Sequence, residues 1–337
     1  MVVRFALVCV VDSPQESDCT TVRMRKFLPS VIKRGAALLS DKKGRYDMSS
    51  KTSKVGVIGA GNVGADVANA LVLLCKCVTV VLFDRTLSKA EGQAWDIEDS
   101  IPLLQEIEII PSSQYEDLAD CDVIVVTVGV QQKQGQTRLD TLSDNAQIIR
   151  STLKELDRVA PNSIVLIVSN PVDVLTRIAI ATSTRAENLI FGSGTVLDTA
   201  RLRYQLGKRL NVSSKQDVHV YVIGEHGDSE FVVWSSTFIG GIPLAEFPIP
   251  QGATLEEIQQ DYVELTRKRG YNISQRKGNT SYGISIVVCQ LVDAILRDEK
   301  QIFPVSVRAD SNYGVGSEVV LGLPCIISSQ GIERQLV

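Results

Sequence analysis

The sequence predicts an α/β protein, with a doubly wound parallel sheet in its first half and an α+β half after it. Three observations carry that expectation. Short β-branched runs alternate with helical patterns from Lys54 to about residue 192. The first of these strands ends in a glycine-rich turn that opens directly into a helix. Residues 122–129 and 163–169 are continuous apolar runs, the pattern of strands buried on both faces of a parallel sheet.

Taken in order, residues 54–59 read as a strand and Ala65–Leu74 as a helix, with Gly59-Ala60-Gly61-Asn62-Val63-Gly64 between them. Gly59 permits the tight turn, and Gly61 lets backbone N–H groups approach a pyrophosphate. Gly64 lets the helix lie close to the strand, with its positive N-terminal end aimed at the phosphates. Such a pattern alone is only a glycine-rich turn. Here a second strand, Val78–Phe83, ends in Asp84, twenty residues beyond Gly64. A carboxylate there accepts hydrogen bonds from adenosine ribose hydroxyls and repels a 2′-phosphate, which selects NAD over NADP. The strand Asp122–Gly129, the helix Leu142–Val159 and the strand Ser163–Ser169 continue the rhythm. A ligand is expected beyond the strand C-termini, where Gly129 and Ser169-Asn170-Pro171 lie.

The second half holds the candidate chemistry. The chain has two histidines, and one, His226, follows the strand Val218–Ile223 in Gly224-Glu225-His226-Gly227-Asp228-Ser229. It reads as exposed at a strand end, where an imidazole can exchange protons near pH 7. Asp198 and Arg201 lie three apart near the start of the helix Leu197–Leu210 and face one side. Arg138 closes a polar loop, Val130–Arg138, that includes Gly135. Each alone is an ordinary solvated residue; their occurrence together with the cradle makes a site.

Composition bounds the rest. Of 337 residues, 44% are hydrophobic and 22% charged, a globular balance that excludes a disordered chain. No apolar run reaches the ~18 residues of a membrane span. Residues 1–50 hold nine Lys/Arg against five Asp/Glu, so that stretch is +4 and the remainder −8 of a net −4. An acidic body argues against nucleic acid and against a membrane surface as partner. Seven scattered cysteines, with Cys75 and Cys77 lacking a second ligand pair, indicate reduced thiols and no metal site. Residues 1–50 are expected to be a disordered extension, with translation starting near Met48, which places the protein in the cytoplasm. The alternative is a basic transit peptide to a mitochondrion or plastid, suggested by Thr20–Arg45. Residues 51–192 then form the nucleotide domain and 193–337 the substrate domain.

These residues carry a resemblance. Residues 57–64, 128–138, 168–176, 192–201, 223–228 and 277–283 are similar, in order and spacing, to the L-2-hydroxy acid dehydrogenases of the lactate/malate dehydrogenase family. The resemblance implies a Rossmann-type NAD domain followed by an α+β substrate/catalytic domain. It implies hydride transfer between nicotinamide and C2 of a small 2-hydroxy acid, with His226 exchanging the hydroxyl proton. Asp198 would hold the far ring nitrogen, Arg201 clamp the substrate carboxylate, and Arg138 polarise the carbonyl from a mobile lid. Asn170 would bond the substrate oxygen, next to a cis Asn170–Pro171 peptide. Gly59, Gly61, Asn62, Val63, Gly64, Asp84, Gly129, Asn145 and Asn170 would line the cofactor.

Malate-specific relatives carry an arginine where this chain has Gln132. Burying a second carboxylate against an amide would cost several kcal/mol, so Gln132, with Thr280 narrowing the pocket, favours pyruvate and lactate. Malate or another 2-hydroxy acid, and a non-catalytic NAD-binding homologue, remain the alternatives. A homotetramer or homodimer is implied. An anionic effector could sit near Arg203 and His219, between subunits. The family continues into a final amphipathic helix that residues 193–337 are expected to lack.

Overall fold

The computed structural model describes residues 53–74, 77–130, 138–249, 254–316 and 318–336. Strands β1 (Lys54–Ile58), β2 (Thr79–Phe83), β3 (Glu108–Ser112), β4 (Val123–Val126), β5 (Ile164–Ile167) and β6 (Ile190–Gly192) run parallel, in the order β6-β5-β4-β1-β2-β3. The order reverses between β1 and β4, which opens a crevice at their C-terminal ends.

Successive side chains point to opposite faces of a strand, and both faces here are covered. Val55, Val57, Val80, Leu82, Val123, Val125 and Leu166 pack with helices α1 (Asn62–Leu74) and α2 (Leu87–Glu98). Ile58, Val81, Ile124, Val126, Val165 and Ile167 pack with α3 (Arg138–Val159) and α4 (Val172–Thr182). Each fully buried aliphatic side chain stabilises the sheet by about 1.5–3 kcal/mol.

The second half supplies α5 (Val196–Leu210), β7 (Val218–His219), β8 (Val222–Ile223), β9 (Phe231–Val232), β10 (Phe238–Ile239) and β11 (Ile242–Pro243). It continues with α6 (Leu255–Lys277), α7 (Tyr282–Leu296), β12 (Gln301–Arg308), β13 (Val320–Ser328) and β14 (Gly331–Gln335). Strands β12–β14 add antiparallel to the free edge of β6, where Ser306 opposes Gly192. The parallel sheet therefore grows into a mixed sheet of nine strands. Short connections can pair strands only antiparallel, whereas a parallel neighbour needs a crossover. Helix α7 is apolar over most of its surface and joins the α1 layer through Val287, Val288, Leu291 and Val292.

Several elements differ from the sequence expectation. The strand expected over Val218–Ile223 is two strands in different sheets: β7 pairs β10, and β8 pairs β9. Val218, Val220 and Val222 still alternate inward, against Leu202, Leu206 and Leu210 of α5. The regular strands within the two long apolar runs cover only Val123–Val126 and Ile164–Ile167, and single backbone bonds such as Val168 N–H to the Val126 carbonyl, at 2.9 Å, carry the pairing past them. Helix α1 starts at Asn62 and α3 at Arg138, so Arg138 opens a helix instead of closing a loop. Cys77, Cys121, Cys289 and Cys325 are buried and form no disulfide; Cys75 and residues 1–50 lie outside the described residues.

Two glycines make the β1–α1 corner possible. Gly59 sits at φ 106°, a left-handed conformation that side chains resist, and donates its N–H to the Phe83 carbonyl at 2.7 Å. A Cβ on Gly64 would lie 1.7 Å from the Gly59 carbonyl oxygen. Gly64→Ala must push α1 off β1, so thermal unfolding should show a loss of at least ~2 kcal/mol, with weakened NADH binding in a fluorescence titration.

Candidate active site

The first part of the site is the corner at the end of β1. Gly61 is the opposite case to Gly64: an added Cβ would meet only Lys89 Nζ, at 4.0 Å, so the N-terminal end of α1 opens onto the crevice. That helix has no acidic residue in its first turn, which leaves its positive end uncompensated and suited to an anion. Asn62 and Val63 are its first two residues. At the end of β2, Asp84 Oδ2 accepts from Ala60 N–H at 2.9 Å and Oδ1 from Thr86 N–H at 3.0 Å. Burial pushes the Asp84 carboxyl up, but those bonds and the Lys89 ammonium at 3.4 Å outweigh it and hold it below its ordinary value. A negative charge, an open helix end and a glycine corner in one crevice fit a dinucleotide. Lys89 carries no sequence signal that would have tied it to Asp84.

Asn145, on α3, joins the ends of β4 and β5. Its Oδ1 accepts from Val130 N–H at 2.7 Å and its Nδ2 donates to the Asn170 carbonyl at 3.3 Å. It therefore fixes the chain just past Gly129 to the Asn170–Pro171 peptide, which is cis. Asn170 itself is exposed, three residues beyond the end of β5. Gln132 lies outside the described residues, as does the side chain of Arg138.

The second part is a charged cluster around α5. Asp198, in the first turn of that helix, is 2% exposed. Its Oδ2 lies 2.6 Å from His226 Nδ1 and its Oδ1 2.7 Å from Arg201 Nη1. Burial works against the Asp198 charge, but the His226 hydrogen bond and the charges of His226 and Arg201 prevail, so its pKa is lowered. The effect on His226 is reciprocal. Burial lowers its pKa, and the bond to Asp198 with the charges of Asp198 and Asp173 raises it above the ordinary value. With Nδ1 occupied, Nε2 is the nitrogen left to exchange a proton.

His226 is half-buried, not exposed as the sequence suggests, because its loop is pinned from below. Its backbone N–H donates to Asp173 Oδ2 at 2.7 Å, and Ser306 Oγ donates to Asp173 Oδ1 at 2.6 Å. Burial raises the Asp173 pKa. Neither Asp173 nor Ser306 is legible in the sequence: an acid in the first turn of α4 looks like a helix-dipole partner, and a serine in β12 looks like a strand residue. Glu230, four residues beyond His226, is 4% exposed and also joins the cluster.

Thr280 is half-buried in the link between α6 and α7, three residues before Gly283, which faces Leu197 beside Asp198. Arg203 Nη2 donates to the Lys215 carbonyl at 2.9 Å, and His219 is exposed on β7. Ligand atoms of Asp198, His226 and Glu230 lie within 4.8 Å of one another. Both Asp198 oxygens are already committed to cations or donors, so the cluster is arranged to hold protons more than to ligate a metal.

Known proteins show the same two-part plan. Residues 53–192 match the lactate/malate dehydrogenase NAD binding domain, and residues 195–337 the alpha/beta C-terminal domain of the same family. The chain belongs to the lactate/malate dehydrogenase family.

It is 39% identical over 286 residues to the L-lactate dehydrogenase of Clostridium botulinum strain Loch Maree, covering 85% of this chain and 89% of that one. The L-lactate dehydrogenase of Moorella thermoacetica is 38% identical over 285 residues, covering 84% and 89%. Among solved structures, a lactate dehydrogenase from a Medee basin deep-sea metagenome library superposes with TM-score 0.81 at 36% identity. The minor L-lactate dehydrogenase of Enterococcus mundtii gives 0.81 at 34%; each covers 85% of this chain and 91% of its own. The crevice of this lactate/malate dehydrogenase family member is thus an NAD site. No helix among its described residues is long and apolar enough to cross a membrane.

Asp198→Asn tests the cluster. An amide neither charges the imidazole nor selects its tautomer, so kcat should fall about 10²–10⁴-fold. The His226 pKa should fall as well, moving the alkaline limb of the reductive reaction to lower pH in a steady-state profile.

Proposed function

We propose that the chain is an NAD-dependent L-lactate dehydrogenase that interconverts pyruvate and L-lactate. The observation that carries this reading is the His226–Asp198–Arg201 cluster, with the imidazole at 2.6 Å and the guanidinium at 2.7 Å from one buried carboxylate. The lactate dehydrogenase relatives support it.

The nicotinamide cofactor, when bound, supplies the hydride donor or acceptor. Gly59, Gly61, Asn62, Val63 and Gly64 take its phosphates, Asp84 its adenosine ribose, and Gly129, Asn145 and Asn170 the part of the crevice beyond β4 and β5. His226 Nε2 gives its proton to the pyruvate carbonyl oxygen as that oxygen becomes a hydroxyl, and takes it back in lactate oxidation. Asp198 supports the imidazolium, and the raised His226 pKa favours that protonated form. Arg201 pairs with the substrate carboxylate through the guanidinium edge not used by Asp198. Arg138 stabilises charge on the carbonyl oxygen, and Asn170 adds a donor to it. Gln132 and Thr280 favour the neutral methyl group of pyruvate over a second carboxylate.

The same reading divides the chain into an N-terminal extension to residue 50, an NAD domain to 192 and a substrate domain from 193. It makes the enzyme a cytoplasmic homodimer or homotetramer, with Arg203 and His219 at the place where an anionic effector would bind.

The decisive assay follows NADH oxidation by the full chain with pyruvate and oxaloacetate in parallel. Fast turnover of pyruvate with little of oxaloacetate is expected; preference for oxaloacetate would overturn the reading. Gln132→Arg should raise oxaloacetate kcat/KM relative to pyruvate, by at least about tenfold for a new ion pair with the second carboxylate. His226→Ala should abolish turnover while NADH affinity, read by fluorescence titration, stays within about twofold.

A further inference from the structure

Glu230 is the one buried carboxyl of the cluster to which the mechanism gives no work. Its backbone carbonyl is gripped from α6 by Arg267, through Nε at 3.2 Å and by a second bond from Nη2. The Glu230 side chain is buried, and a carboxylate oxygen lies within 4.8 Å of ligand atoms of Asp198 and His226. The groups facing it are Asp198 and Arg201 from α5, Arg267 from α6 and His226 from its own loop; Asp173, from α4, faces His226 from its other side. Glu225 and Asp228 of the same loop are exposed. No hydrogen bond reaches the Glu230 carboxyl among the described residues, and the near nitrogen of Arg201 is committed to Asp198.

The charges leave no room for a second anion. With Asp198 and Arg201 paired and His226 protonated, the cluster carries one positive charge, which the substrate carboxylate neutralises. An ionised Glu230 would sit beside Asp198 and compete with the substrate for Arg201. Burial and the like charge of Asp198 make ionising Glu230 costly, and they outweigh the nearby cations His226, Arg201 and Arg267.

Resting on the pyruvate/lactate reading above, we propose that Glu230 is a positioning residue whose carboxyl must be protonated for Arg201 to accept the substrate carboxylate. Productive pyruvate binding then needs two protons in the site, one on His226 and one on Glu230. Burial pushes the Glu230 carboxyl up to about 8; the Asp198 charge adds to the rise, and His226, Arg201 and Arg267 oppose it. The requirement therefore switches off in the range where the enzyme can be assayed.

The experiment compares wild type with Glu230→Gln, measuring kcat and KM for pyruvate at saturating NADH from pH 6 to 9.5. Wild-type log kcat/KM should fall toward a slope of −2 at alkaline pH, and the neutral isostere should fall with slope −1. The two should agree near pH 6 and differ by about tenfold near pH 9, with the difference in KM and not in kcat. A slope of −1 in the wild type overturns the proposal, whether or not the variant folds. So does a variant that is slower by one factor at every pH, which marks a packing role, or one whose limb moves to lower pH.

Stability gives a reading free of turnover. The folded-state pKa is raised from 4.5, so wild type should lose stability relative to Glu230→Gln as pH rises from about 4.5 to about 8, and no further above that. A flat difference in thermal midpoint across that window overturns the proposal. Absence of pyruvate turnover in the wild type would instead sink the lactate reading, and the stability comparison alone then decides whether Glu230 holds its proton.

Discussion

A single buried carboxylate organises the active half of this molecule. Stripping Asp198 of water costs several kcal/mol, and an isolated ion could not remain there. Three things compensate: the imidazole on Oδ2, the guanidinium on Oδ1, and the N-terminal end of α5, whose dipole favours a negative charge in its first turn. Each constrains the architecture. Arg201 must be three residues along the same helix, the His226 loop must reach over the helix end, and the start of α5 must be delivered to that point by β6.

That delivery explains why the two halves share one sheet. Strand β6 ends at Gly192, opposite Ser306 of β12, and the chain turns into α5 within three residues. Ser306 and α4 then hold Asp173, and Asp173 holds the backbone of His226. The His226 loop is thus tied to the helix that follows Asn170 on the cofactor side. Asn145 makes a similar tie between the ends of β4 and β5. Hydrogen bonds from buried side chains to loop backbone keep the crevice shaped where no regular strand can.

Charge is distributed unevenly between the two parts of the crevice. The cofactor end offers an uncompensated helix N-terminus with one carboxylate, Asp84, set back from it at the end of β2. The substrate end concentrates Asp198, Asp173, Glu230, Arg201, Arg267 and His226 in a largely dry space, where a charge on any one of them changes what its neighbours can hold. A monoanionic substrate suits that balance, because a dianion would need a further cation.

The sequence by itself determined the layers and the cofactor corner. The continuous apolar runs of β1, β2, β4 and β5 are a local property of short segments buried on both faces, and Gly59, Gly64 and Asp84 act through backbone conformation and strand-end position, which spacing alone can express. Asp198 and Arg201 were legible too, because three residues on a helix guarantee proximity. Only the tertiary structure decided the rest. The antiparallel extension of the sheet, the split of residues 218–223 between two sheets, and the half-burial of His226 all depend on strands and loops far apart in the chain. Asp173 with Ser306 and Glu230 with Arg267 are separated by 133 and 37 residues, and no periodicity encodes such pairs. Their pKa values follow from burial and from neighbours' charges, and both exist only once the chain has closed around them.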